Sequence, residues 1–185
     1  MALTKTPVCD FGKKAEDFKL KSINNKVLTL NDIKGEKATL IMFICNHCPY
    51  VKAIIKDLAK DCNELRNDGI SSVAIMSNDT KNYPEDSFEN MIKFSKDNKF
   101  EELEYLIDNT QEIAKKYGAV CTPDFFGYNK NLELQYRGRI RELKNLKPVR
   151  NGESDLKLAM QMIAKTQKGP LEQVPSMGCN IKWIK

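Results

Sequence analysis

Two hydrophobic periods alternate along the chain. The run Ala38-Thr39-Leu40-Ile41-Met42-Phe43-Ile44 is apolar nearly without interruption and short, the pattern of a strand buried on both faces. Directly after it the period changes: apolar residues recur at Val51, Ile54, Ile55, Leu58, Cys62 and Leu65, the spacing of one helix face, and Gly69 closes the segment. Cys62 lies on that stripe, which predicts core packing for its thiol. Ile70 to Ser77 reads as a second buried strand, followed by the loop Asn78-Asp79-Thr80-Lys81-Asn82-Tyr83-Pro84 and helical periodicity from Glu85 through Lys96. A short strand from Glu104 to Ile107 leads through Asn109, a candidate N-cap, into a helix from Thr110 to Tyr117 that Gly118 ends.

The remaining segments frame this centre. Phe18 to Ile23 and Val27 to Leu30 alternate apolar and polar residues about Asn24-Asn25, as an opening hairpin does. Strands near Asp124 to Tyr128 and Leu132 to Arg137 flank Asn129-Lys130-Asn131, and a last helix from Ser154 to Lys165 turns Leu156, Ala159, Met160 and Ile163 inward. The order of hairpin, βαβα, short strand with helix, and ββα predicts an α/β fold. Its central sheet is mixed, parallel in the core, with helices on both faces and an N-terminal hairpin. Reactive groups in such sheets gather beyond the C-terminal ends of the parallel strands.

That is where Cys45-Asn46-His47-Cys48 falls, between the first core strand and Pro49 of the following helix. A Cys-x-x-Cys at a strand-to-helix turn places both sulfurs near unpaired N–H groups and the positive end of the helix dipole, which favour thiolate. The thiolate is the nucleophile in thiol–disulfide exchange, and a second Cys one turn on can resolve the mixed disulfide. His47, the single histidine of the chain, adds a positive charge between the two when protonated, so Cys45 is expected to carry the more stabilised thiolate. Asn78 and Asp79 follow the next strand and are expected nearby.

Composition narrows the class. The 185 residues, 41% of them hydrophobic, suit one domain, here residues 1–166, with residues 167–185 as a C-terminal tail packed on it. The tail has Gly169-Pro170 and Pro175, which argue against a long helix, but also Cys179 and the chain's one Trp, Trp183, which argue for folding back. Thirty basic and 25 acidic residues are interleaved, giving a net charge of +5 and no nucleic-acid face. The basic stretch from Lys144 to Arg150 reads as a solvated loop. The N-terminal stretch to Val8 lacks an apolar leader, no run is long enough to span a bilayer, and of six cysteines only one pair has redox spacing. The expectation is a cytoplasmic protein without a disulfide scaffold or membrane contact. Neither the Gly-x-Gly-x-x-Gly nor the P-loop pattern occurs, and no cofactor is expected.

With these elements in hand, the order resembles the thioredoxin fold. Gly12-Lys13-Lys14-Ala15-Glu16-Asp17-Phe18-Lys19-Leu20 is similar to the opening of the alkyl hydroperoxide reductase and thiol-specific antioxidant branch. Six further blocks resemble a peroxiredoxin-like (redoxin) subfamily: Phe43 to Val51, Ser77-Asn78-Asp79, Tyr83-Pro84-Glu85-Asp86-Ser87, Tyr117 to Phe126, Tyr136 to Ile140, and Gly178 to Trp183. The resemblance maps Thr122-Pro123 onto the cis-proline loop that faces the dithiol and exposes its backbone to a partner strand. The chain departs from thioredoxins in lacking a buried acid on the strand before the motif, a role left to Asp79 or His47. It departs from peroxiredoxins in having Met42 and Ala38 where that family has Thr or Ser and Pro.

The leading reading is a thiol–disulfide oxidoreductase. Cys45 and Cys48 react, His47, Asn78, Asp79, Thr122 and Pro123 support them, and Cys179 and Cys121 are candidate third thiols. Its partners are a protein or small-molecule disulfide or thiol, with a thioredoxin-type reductant behind it. A thiol-dependent peroxidase with an antioxidant role is the alternative. A metal-binding or metallochaperone reading, with Cys45, His47 and Cys48 as soft ligands and Cys121 or Cys179 as a further one, lacks the second Cys-x-x-Cys pair that closes a tetrahedral site.

Overall fold

The computed structural model describes residues 3–185; residues 1 and 2, with which the predicted domain begins, lie outside them. In chain order the strands are β1 (Leu3–Lys5), β2 (Lys19–Ser22), β3 (Val27–Thr29), β4 (Ala38–Phe43), β5 (Ile70–Met76), β6 (Leu103–Ile107), β7 (Cys121–Thr122), β8 (Asp124–Asn129), β9 (Leu134–Tyr136), β10 (Leu143–Lys144), β11 (Lys147–Pro148) and β12 (Met177–Asn180). The helices are α1 (Leu30–Ile33), α2 (Pro49–Leu65), α3 (Phe88–Asp97), α4 (Glu112–Tyr117) and α5 (Asp155–Thr166).

Seven strands form the main sheet in the order β3-β2-β6-β5-β4-β8-β9. β4, β5 and β6 run parallel, and β8 and β2 flank them antiparallel. This is the mixed α/β sheet and opening hairpin of the sequence reading. Every residue of β4 is buried, because side chains alternate between two cores. Leu40 and Met42 pack with Ile54, Leu58, Leu65, Leu156, Met160 and Ile163 of α2 and α5; Ile41 and Phe43 pack with Ile33, Ile113 and Tyr117 on the opposite face. The α2 stripe fixes the helix against the sheet, each buried Ile or Leu contributing about 2 kcal/mol. The N-terminus of α2 is therefore held in one place beyond the end of β4. Among the described residues no helix is long and apolar enough to cross a membrane.

Several boundaries differ from the sequence reading, each for a local reason. Thr29 ends β3 and caps α1 in a capping box with Asp32, so Leu30 starts a helix rather than ending a strand. The helix expected from Glu85 begins at Phe88, capped by Ser87, after the 3₁₀ turn Pro84–Asp86. Gln111 at φ 62, not Asn109, precedes α4. Within the stretch expected as a solvated loop, β10 and β11 form an exposed two-stranded hairpin. A second sheet, β1-β12-β7, joins the two ends of the chain: Leu3 pairs with Cys179, and Cys179 in turn with Thr122.

Candidate active site

The strand-to-helix turn brings Cys45 and Cys48 to the N-terminus of α2, with Cys48 as N-cap and Pro49 in the first helical turn. Both sulfurs are free thiols, and the two residues are 1% and 0% exposed. From the other side comes the cis Thr122-Pro123 peptide. The Cys45 Sγ lies 3.4 Å from the Thr122 hydroxyl, and the Cys48 Sγ lies 3.2 Å from the Thr122 carbonyl oxygen. Asp124, directly after the loop, is tied to Arg137 by a 3.0 Å ion pair, which anchors this wall of the site.

The third sulfur is Cys179. Its Sγ stands 3.1 Å from that of Cys48, placed there by the pairing of β12 with β7. The tail that carries it is pinned along its length. The Ser176 hydroxyl donates to the Pro123 carbonyl, the Lys182 amide donates to Asn78 Oδ1, and Gln111 Nε2 donates to the Lys182 carbonyl. Cys121, by contrast, donates its thiol to the Pro123 carbonyl, and burial pushes it well above the ordinary thiol range. Cys62 packs under α2 and is pushed up to about 12 by burial.

The ionisation of the pair differs from the sequence expectation, which gave the more stabilised thiolate to Cys45. A hydrogen bond from the Cys45 thiol is the largest influence on Cys48. Together with Cys179 and the Val51 amide it outweighs burial and brings Cys48 down to about 4. The same hydrogen bond raises Cys45 well above the ordinary thiol value, and burial and the nearby Asp86 carboxylate push it further. The reason is position. Cys48 is the N-cap residue of α2, beside the Val51 amide and the Cys179 sulfur, whereas Cys45 faces the Asp86 carboxylate.

Asp86 is the residue that sequence reading missed. Its carboxylate is wholly buried and accepts from the Asn46 amide at 2.8 Å, from Asn78 Nδ2 at 2.8 Å and bonds His47 Nδ1 at 2.7 Å. Burial raises its pKa, but the hydrogen bonds from His47 and Asn78 outweigh that and leave it below the usual carboxylate value. His47 is raised in return, first by its hydrogen bond to Asp86, and its ring stacks on Tyr83 at 5.6 Å. Tyr105 completes the network by donating to Asn46 Oδ1 at 2.9 Å. The loop between β5 and α3 thus supplies the buried acid that β4 lacks. Asp86 lies inside a block that resembles the redoxin branch, which was the one signal for it. Asp79 does not join the thiols; its carboxylate closes a local turn with the Lys81 amide and Asn82 Nδ2.

Cys45, His47 and Asp86 each bring one ligand atom within 4.8 Å of the others, the spacing of a three-ligand metal site. The Asp86 oxygens and His47 Nδ1 are already committed to each other and to Asn46 and Asn78. This arrangement fits a hydrogen-bonded hub better than a soft-metal centre.

The sequence profile of the AhpC/TSA family matches residues 11–143. Among solved structures the chain is similar to an uncharacterized conserved protein from Geobacillus kaustophilus, at 38% identity and a TM-score of 0.94 over 100% of this chain and 97% of that one. A hypothetical protein from Sinorhizobium meliloti 1021 is similar at 36% identity and a TM-score of 0.90 over 98% of each chain. The thioredoxin domain of a thiol-disulfide oxidoreductase from Bacteroides vulgatus shares the fold at 17% identity, with a TM-score of 0.58 over 73% of this chain and 89% of that domain. No curated protein matches the chain. A redoxin opening, a cis-proline wall facing two thiols at a helix N-terminus, and a matching profile over most of the sequence agree: the chain has a thioredoxin-like fold and belongs to the AhpC/TSA family.

Proposed function

We propose that the protein is a thiol–disulfide oxidoreductase that works through Cys45 and Cys48. The observation that carries this reading is the placement of two free thiols at the N-terminus of α2 against the cis Thr122-Pro123 wall, Cys45 Sγ 3.4 Å from the Thr122 hydroxyl and Cys48 Sγ 3.2 Å from the Thr122 carbonyl oxygen. One proton serves two sulfurs. When Cys45 attacks a partner disulfide, its proton passes to the Cys48 thiolate and one partner sulfur leaves as a thiolate. Cys48 then gives a proton to that leaving thiolate and attacks Cys45 Sγ. A 45–48 disulfide forms, the mixed disulfide breaks and the partner departs reduced. A thioredoxin-type reductant restores the dithiol by the same exchange in reverse.

The Thr122 hydroxyl 3.4 Å from Cys45 favours a second reading, peroxide reduction, because it offers a hydrogen bond where peroxiredoxins use a Thr or Ser. In that case Cys45 is oxidised to a sulfenic acid, and Cys48 displaces water to give the same disulfide. The discriminating experiment follows turnover of a disulfide substrate and of hydrogen peroxide with a thioredoxin system, in the wild type and in Cys45→Ser and Cys48→Ser. Disulfide turnover lost in both variants, with peroxide consumption near background, is the expected result. A wild type that forms no 45–48 disulfide in an oxidising glutathione buffer overturns the proposal.

A further inference from the structure

We infer that Cys179 is a third redox-active cysteine, carried on a strand that occupies the place a partner strand would take. The inference rests on the dithiol reading above and extends it. Three observations converge. The Cys179 sulfur is 3.1 Å from Cys48, so a disulfide needs an approach of only about 1 Å. β12 adds antiparallel to β7 with Cys179 opposite Thr122, so the backbone that a docking peptide would pair with is filled by the chain's own tail. Finally, the tail fits at this spot because residue 178 is glycine: a Cβ there would run into the Thr122 carbonyl oxygen. With Cys45 and Cys48 closed off from solvent, the nearest exchange partner for the dithiol is the tail itself.

The exchange step is an isomerisation. Once a partner has oxidised the pair to the 45–48 disulfide, Cys179 loses its proton to solvent and its thiolate attacks Cys48 Sγ. The 48–179 bond forms, the 45–48 bond breaks, and Cys45 leaves as a thiolate that takes up a proton. The protein's oxidation state is unchanged; the disulfide has moved and Cys45 is free again. The reduced state holds this reaction back. Burial, and then the hydrogen bond to Cys48 and its charge, push the Cys179 thiol up to about 12. Formation of the 45–48 disulfide removes both influences of Cys48, so Cys179 becomes the easier thiol to ionise only after oxidation. Cys121, bonded to the Pro123 carbonyl instead of a sulfur, has no such route.

The test equilibrates full-length protein in glutathione redox buffers, quenches with acid, alkylates with iodoacetamide and maps peptides without reduction. Wild type is expected to show 45–48 and 48–179 bridges together, with alkylated Cys45 in the second species, and Cys179→Ala only the first. Cys45→Ser is expected to form the 48–179 bridge within about tenfold of the buffer ratio that oxidises wild type. If wild type forms the 45–48 bridge but no alkylated Cys45 accompanies oxidised Cys48, and Cys45→Ser keeps both thiols free, the third thiol is excluded and the dithiol reading stands. If wild type forms no 45–48 bridge at all, the dithiol reading fails and this inference with it.

Discussion

Cys48 and Cys62 stand at the two ends of one helix, and each is almost completely buried. By burial alone the two thiols should behave alike, since desolvation penalises both anions. They diverge in direction: Cys48 is brought below the ordinary thiol value and Cys62 is pushed up to about 12. The difference lies in what surrounds them. Cys62 sits on the apolar stripe among Leu58, Leu65 and the underside of the sheet, where desolvation dominates. Cys48 caps α2, where Cys45, Cys179 and the first-turn amide of Val51 all favour the charged sulfur. The ionisation of a buried thiol here therefore follows the polar groups around it and not its depth alone.

If those donors depend on the loop geometry, the residue that holds the loop is the place to break the contrast. Asp86→Ala removes the acceptor shared by the Asn46 amide, Asn78 and His47, leaving buried donors without partners. A loss of about 3 kcal/mol in unfolding free energy is expected by urea denaturation. Asp86→Asn, which keeps the shape and deletes the charge, should lower the Cys45 thiol, because the carboxylate is one of the groups pushing it up. Cys62 should be unaffected in either variant. A stability loss below about 1 kcal/mol for Asp86→Ala shows that the hub does not hold the site.

The asymmetry between what the sequence revealed and what it hid follows the same line. β4, α2 and α5 carry long hydrophobic periods, and their packing was legible because burial is periodic. The dithiol was legible because two cysteines at fixed spacing sit on a strand–helix boundary. Asp86 was not, since it lies in a three-residue 3₁₀ turn whose neighbours show no period and whose partners are distant in sequence. The β1-β12-β7 sheet was hidden for a related reason. Its strands have two to four residues, too short for alternation to register, and Leu3 meets Cys179 across nearly the full chain. Nothing local in the sequence marks Gly178-Cys179 as the occupant of the cis-proline groove. Only the pairing does.

Cys62 offers the complementary test. Cys62→Ala deletes one sulfur from a packed core without touching the donors of Cys48, and should cost about 1–2 kcal/mol in stability through the small cavity it leaves. The 45–48 redox equilibrium and the iodoacetamide pH profile of the site should stay at wild-type values. A change of more than about threefold in that equilibrium, roughly 15 mV by the two-electron relation, would show that the two ends of α2 are coupled through the core and that the contrast drawn above is too simple.

The smallest effect concerns the pH dependence of stability, and its sign distinguishes the two ends of the helix. The His47 pKa is raised in the folded state, so its contribution is complete below the unfolded value of about 6.5 and is lost as pH rises through the raised folded value. Asp86 is lowered, so its contribution is complete above about 3.9 and is lost as pH falls through the depressed folded value. The pair therefore contributes most between about pH 4 and 6.5. Cys48 acts in the opposite direction, adding stability as pH climbs from about 4 toward the unfolded thiol value, so the raw curve mixes the two. The difference between wild type and His47→Gln isolates the histidine. The wild-type advantage, read from urea midpoints of reduced protein, should be largest near pH 5.5 and shrink steadily toward pH 8. The same difference for Cys62→Ala should be flat over that range, because the Cys62 thiol is protonated in both folded and unfolded chains below about pH 8. A flat His47→Gln difference would mean that the imidazole titrates alike in folded and unfolded chains, and a wild-type advantage that grows toward pH 8 would mean that it sits neutral against Asp86, the ion pair then being redrawn as a neutral hydrogen bond.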